Sequence, residues 1–251
     1  MRPKVHYLLR VALSSSILLS FTTQSQLHAN DLANDTLSES IANSLNQKNI
    51  QSLINHLPDK EKINLENRYK IFIDEFPDAN WVIKKGKPLN DGRDSLEIFI
   101  TGAKKFKREK YIIQANQRLG IKTLGEKVID QELISEETII QTSQSPLSIN
   151  INVPNFVLTG TTYDFDIILN KPLGDAMLIG GLIPITDKQI RNQSSPPIEL
   201  APLGGGGLFK SVKAPLSPGI QNWAAVVAHP EGLISITKMV RVVADESDIE
   251  H

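Results

Sequence analysis

The chain has 251 residues, with 27 Lys and Arg against 28 Asp and Glu, 40% hydrophobic residues and no Cys. The near-neutral balance lacks the basic footprint of a nucleic-acid binder, and the apolar content excludes wholesale disorder. Without thiols there is no disulfide, iron–sulfur cluster, cysteine nucleophile or thiolate metal site, and the length suits two domains, each with its own core.

Residues 1–29 read as a signal peptide. Arg2, Lys4 and Arg10 give a basic start, Val11 to Phe21 an uncharged apolar run, and Thr22 to Ala29 a polar tail ending in a small side chain. The run is about half of the ~20 residues needed to cross a bilayer core, so no transmembrane anchor is expected in the mature form. Cleavage after Ala29 removes three basic residues and no acidic one, taking the formal charge from −1 to −4. The expected location is the periplasm, or the thylakoid lumen if the host is photosynthetic.

The first predicted helix starts at the capping-box spacing Thr36-Leu37-Ser38-Glu39, with Leu37, Ile41 and Leu45 on one face. Asn49 caps a short second helix with a stripe of Ile50, Leu53, Ile54 and Leu57, stopped by Pro58. Asp59 caps a third, in which Leu65, Tyr69, Phe72, Ile73 and Phe76 recur with helical period up to Pro77.

From Trp81 the period changes to two. Strands are predicted over about 80–87, 94–102, 109–119 and 126–140, joined by a turn at Asn90-Asp91-Gly92, a loop from Gly102 to Lys107, and a third at Gly120 or Gly125. Short connections make this an antiparallel meander. Tyr111, Ile113, Ala115, Gln117 and Leu119 share one face of the third strand; Ile112, Gln114, Asn116 and Arg118 share the wetter one, where Glu97, Asp130 and Glu132 can join Arg118.

The polar stretch Gln141 to Pro146 marks a domain boundary. Beyond it, seven short runs at about 147–153, 161–169, 175–183, 197–201, 207–213, 221–228 and 233–243 are separated by Gly and Pro turns, with a helix only near Asp187 to Arg191. This pattern predicts an antiparallel β-sandwich over 146–244, followed by a tail over 245–251.

Phe76-Pro77-x-x-x-Trp81, where the long helix turns into the first of four strands, resembles the α+β rolls of the NTF2-like and cystatin-like group over about residues 36–141, within a domain expected at 30–141. That resemblance implies helices on a curved four-stranded antiparallel meander, with room for a pocket between them. Leu216-Ser217-Pro218-Gly219 followed by Trp223 resembles the turn entering a late strand of immunoglobulin-like and fibronectin III-like domains, and implies an all-β immunoglobulin-like sandwich.

Catalytic and cofactor signatures fail one by one. Gly204-x-x-x-x-Phe209-Lys210-Ser211 puts Phe where a phosphate loop needs Gly, and Pro215 and Pro218 forbid the following helix. His56, His229 and His251 are scattered, with His229 expected at an exposed turn, so no metal is expected. The acidic pairs Asp130 and Glu132, Glu136 and Glu137, and Asp164 and Asp166 read as solvated strand faces. The run Lys104-Lys105-Phe106-Lys107-Arg108-Glu109-Lys110 is the sharpest cluster of charge.

The function expected is therefore that of an exported, non-enzymatic binding or assembly protein, without cofactor, metal or nucleic acid. It acts through protein–protein contacts on an envelope or lumenal partner, and Trp81, Phe106 and Arg118 are the contact candidates. The alternative is a small-molecule-binding or enzymatic pocket in the roll, lined by Tyr69, Trp81, Tyr111 and Gln117.

Overall fold

The computed structural model describes residues 31–56, 59–125, 127–142, 147–170, 176–192 and 194–249. The expected signal peptide and most of the expected boundary segment lie outside them. Among the described residues, contacts group the chain into two compact units: one holds the residues up to 103 together with 114–136, the other holds 104–113 and the chain from 137 onward.

The first unit opens with α1 (Asp31–Asn46), α2 (Ile50–Asn55) and α3 (Asp59–Glu75). The α1 helix runs through the expected capping box and starts five residues earlier, at Asp31, because neither Gly nor Pro interrupts 31–46. Leu37, Ile41 and Leu45 are buried as their spacing requires. Asn49 caps α2 by accepting the Ser52 N–H at 3.1 Å, as expected. Leu65, Tyr69, Phe72 and Phe76 form the buried stripe of α3.

Four strands follow: β1 (Asn80–Lys85), β2 (Asp94–Phe106), β3 (Glu109–Leu124) and β4 (Lys127–Thr142). Gly102 lies inside β2, not in a loop. Only Lys107 and Arg108 separate β2 from β3, and Lys107 takes the left-handed conformation with φ 58°. The β3–β4 turn is at Gly125, φ 60°, whereas Gly120 lies within β3 with no room for a Cβ against the Leu89 side chain.

The second unit carries β5 (Ile149–Asn152), β6 (Phe156–Leu158), β7 (Thr162–Leu169), β8 (Leu178–Ile185), α4 (Asp187–Arg191), β9 (Ala201–Leu203), β10 (Gly207–Lys213), β11 (Gly219–His229) and β12 (Gly232–Val243). A three-stranded sheet in the order β10-β7-β5 is distinct from the larger one, in which β6 lies parallel to β12 and β11 follows β12, then β8 and β9. Tyr163, Phe165, Ile167, Leu208 and Val212 share one buried cluster with Trp223, Ala225, Val227, Ile234 and Ile236. Two sheets sharing one buried cluster are compatible with a β-sandwich.

The chain is mostly β, and its larger sheet runs β1-β2-β3-β4-β12-β11-β8-β9. The last part of β4 pairs with β12, Glu137 opposite Lys238 and Gln141 opposite Ile234. The compact units divide within β4, at 136/137. Alternation along β4 marked its faces, but pairing across about 100 residues of sequence leaves no local trace.

Candidate functional site

Trp81, expected at a contact surface, is only 3% exposed. Its ring lies 5.8 Å from Tyr69 and 5.4 Å from Phe72 between centroids, and Phe72 in turn is 5.5 Å from Phe76. The α3 stripe and the inward position on β1 bring these rings together, so Trp81 is a core residue. Its backbone is held as well: Asn46 Nδ2 donates to the Trp81 carbonyl at 2.9 Å, and Asn46 Oδ1 accepts the Trp81 N–H at 2.8 Å. Because β1 begins the sheet order, the carboxamide stands where a further strand would dock and blocks that edge.

Tyr69 donates its hydroxyl to the Leu45 carbonyl at 2.6 Å. Burial pushes its pKa up from 10.0 to about 12. The unfolded chain ionises this phenol first, so its share of stability is intact below pH 10 and is lost as pH rises toward 12. A Tyr69→Phe variant is expected to lose less stability than the wild type between these two values in denaturant titrations at stepped pH. Equal slopes would refute the assignment.

The other expected pocket residues are interior too. Tyr111 is buried, and Gln117 is buried with its Nε2 donating to Glu136 Oε1 at a long 3.4 Å. Gln117 and Glu136 are inward positions on β3 and β4, and only the inward side chain of Gln117 was legible beforehand.

Arg118 is partly buried and donates from Nη2 to the Lys87 carbonyl at 3.0 Å, while Ser95 Oγ donates to the same carbonyl at 2.6 Å. Arg118 thereby holds the connection that leads from β1 to β2. Glu132, expected beside Arg118, accepts from Arg93 Nη2 at 2.7 Å, and Asp91 accepts from Arg93 Nε at 2.6 Å. Burial opposes the Arg93 charge, but the hydrogen bonds and charges of Glu132 and then Asp91 outweigh it and raise its pKa.

Two polar groupings in the second unit have no local signature in the sequence. Lys238, nearly buried, meets Glu137 Oε2 at 3.1 Å and donates to Asn155 Oδ1 at 2.7 Å. Trp223 Nε1 donates to the Tyr163 hydroxyl at 3.0 Å, and that hydroxyl donates to Gln221 Oε1 at 3.0 Å. Burial raises the Tyr163 pKa, and the Trp223 hydrogen bond partly offsets it. The only advance signal was one of type: Lys or Trp on an otherwise apolar strand needs a polar partner.

His229 is buried, contrary to the exposed turn expected, with Nδ1 accepting the Glu231 N–H at 3.2 Å. His56 pairs with Ser40 Oγ at 2.9 Å. The tetraglycine forms the β9–β10 turn, with Gly205 and Gly206 at φ 66° and 80°, and Lys210 sits on a strand opposite Phe165. No helix N-terminus follows it, so the phosphate loop fails geometrically too. Among the described residues no group of three His, Asp or Glu is placed to hold a metal.

At the surface, Val82 and Phe99 face each other across β1 and β2 on the outward side, 41% and 39% exposed. Phe106 lies half-buried at the β2–β3 hairpin tip, with Lys107 Nζ 5.5 Å from its ring centroid. Leu216, in the segment likened to an immunoglobulin-like corner, is exposed beside Gly160, while Trp223 enters the core.

No helix among the described residues is long and apolar enough to cross a membrane. A comparison with curated proteins finds no match for the chain. Residues 144–243, which span the sandwich, match a family model described as a domain of unknown function, DUF8623.

Proposed function

We propose that this protein is an exported, non-enzymatic binding or assembly protein of the cell envelope or thylakoid lumen. On this reading an N-terminal roll of the NTF2-like or cystatin-like type carries an immunoglobulin-like sandwich. Three helices before a four-stranded meander, and an aromatic cluster joining α3 to β1, favour the roll. The strand order favours the sandwich: β10-β7-β5 correspond to the E, B and A strands, while β12-β11-β8 correspond to G, F and C, with β9 beside C.

The observation that carries the binding reading is the Val82–Phe99 pair. Two large apolar side chains, directly opposed across the outermost two strands, are left in water, with exposed Asn80 and Thr101 beside them. An apolar centre with a polar rim is what a protein contact needs, and edge pairing is blocked beside it by Asn46. The aromatic groups Tyr69, Phe72 and Trp81 of this unit close on one another in its interior.

Capture of the tagged full chain from native extract of its source organism is expected to recover one stoichiometric partner. Phe99→Ser is expected to abolish that recovery while lowering Tm by only about 2–4 °C, the response to ~1 kcal/mol in a chain of this size. Repeated recovery of the protein alone, or undiminished capture by Phe99→Ser, would overturn the reading.

A further inference from the structure

We propose that the β2–β3 hairpin tip is an electrostatic docking element for an anionic phospholipid surface, separate from the Val82–Phe99 contact face. Residues 104–110 hold five cations and one acid, a net +4 in a chain whose total is −1, so every other residue together carries −5. The hairpin is therefore a strongly basic run in a chain that is otherwise acidic in sum. Lys105, Lys107, Arg108 and Lys110 are exposed there.

The hairpin places Lys105 and Lys110 in an arrangement that does not favour stability. A two-residue turn between Phe106 and Glu109 sets those two residues opposite each other and, one step further, Lys105 opposite Lys110. Like charges directly opposed on neighbouring strands are destabilising. Lys107 adds a non-glycine residue at φ 58°. An external negative surface relieves the repulsion that the fold leaves in place. Phe106, half-buried with the Lys107 ammonium 5.5 Å from its ring, sits among the cations as an apolar foot at headgroup depth.

Lipid fits the tip better than an acidic protein. A seven-residue hairpin end offers far less than the ~800 Å² per partner of a stable protein interface. Four of its five cations are lysines, flexible point charges suited to a diffuse negative potential, not the planar forks that read a fixed carboxylate.

The test is sedimentation of the full chain with vesicles of phosphatidylcholine alone or with about one-third phosphatidylglycerol. Each basic residue near such a surface strengthens binding about fivefold. The wild type is therefore expected to prefer the anionic vesicles, and the variant Lys105→Ser, Lys107→Gly, Arg108→Ser, Lys110→Ser is expected to lose about 600-fold of that preference. Lys105→Arg with Lys110→Arg is expected to keep it, and raising salt from about 0.1 M to 1 M to abolish it. The N-terminal residues are identical in all forms, so the difference isolates the hairpin. Unchanged thermal melting shows that the variant is folded; if it unfolds, Arg108→Ser with Lys110→Ser, expected to lose about 25-fold, decides instead. Equal partition of the wild type onto both vesicles, or equal binding by the serine variant, would overturn the proposal. So would binding to acidic proteins with no vesicle preference.

Discussion

Trp223→Ala is expected to destabilise the protein by about 3–5 kcal/mol, the range for emptying a buried aromatic site. The indole lies 6.0 Å from the Phe165 ring between centroids and shares a buried cluster with residues of both sandwich sheets. It also donates to Tyr163, whose hydroxyl reaches Gln221. Truncation therefore removes packing from both sheets and breaks a three-member hydrogen-bond chain in the same step. Thermal melting should move down by about 10 °C, at the ~2–4 °C per kcal/mol of a chain this long. Trp223→Phe is the informative control. It keeps most of the ring volume, deletes the N–H and is expected to cost about 1–2 kcal/mol. If alanine costs no more than phenylalanine, the sandwich core is not built around this indole.

The second large effect is expected at Lys238. Its side chain is 7% exposed, its ammonium is shared between Glu137 and Asn155, and it stands directly opposite Glu137 in the β12–β4 ladder. Lys238→Ala removes one partner and leaves the Glu137 carboxylate, only 23% exposed, without its counter-charge. Breaking a buried pair in this way costs about 3–5 kcal/mol, whereas replacing both members by apolar residues of similar volume is often neutral. Lys238→Met combined with Glu137→Leu should therefore be much closer to wild type than Lys238→Ala in urea unfolding. A double replacement as damaging as the single one would mean that the strand pairing, not the charges, depends on these side chains.

The N-terminal helices were legible because each carries a complete local signal. Leu37, Ile41 and Leu45 fall on one face, Asn49 supplies a cap, and Leu65 to Phe76 keep helical period until Pro77. The same signals misled wherever a residue had two uses. Thr36 and Glu39 have capping-box spacing yet lie inside α1, since nothing before them breaks a helix. Gly102 suggested a turn yet remains in β2, because Lys107 accepts the positive φ. Strand β10 was placed at its observed limits, between a glycine turn and Pro215, whereas β6 was missed: three residues carry no period, and its partner is the last strand of the chain.

Site residues divide along the same line. The chain by itself fixed which side chains were inward, since alternation along β3 marked Tyr111 and Gln117 and helical spacing marked Tyr69; it also fixed the basic run at 104–110. It did not fix their neighbours. The interior place of Trp81, secured by Asn46 from 35 residues away, the Tyr163–Trp223 bond across 60 and the Lys238–Asn155 bond across 83 all come from tertiary structure. So does the pairing of residues 137–141 of β4 with β12. Local period reflects forces within a few residues, whereas pairing of distant strands is chosen by which buried polar groups find partners and which apolar faces leave water, a competition settled only when the whole chain is folded.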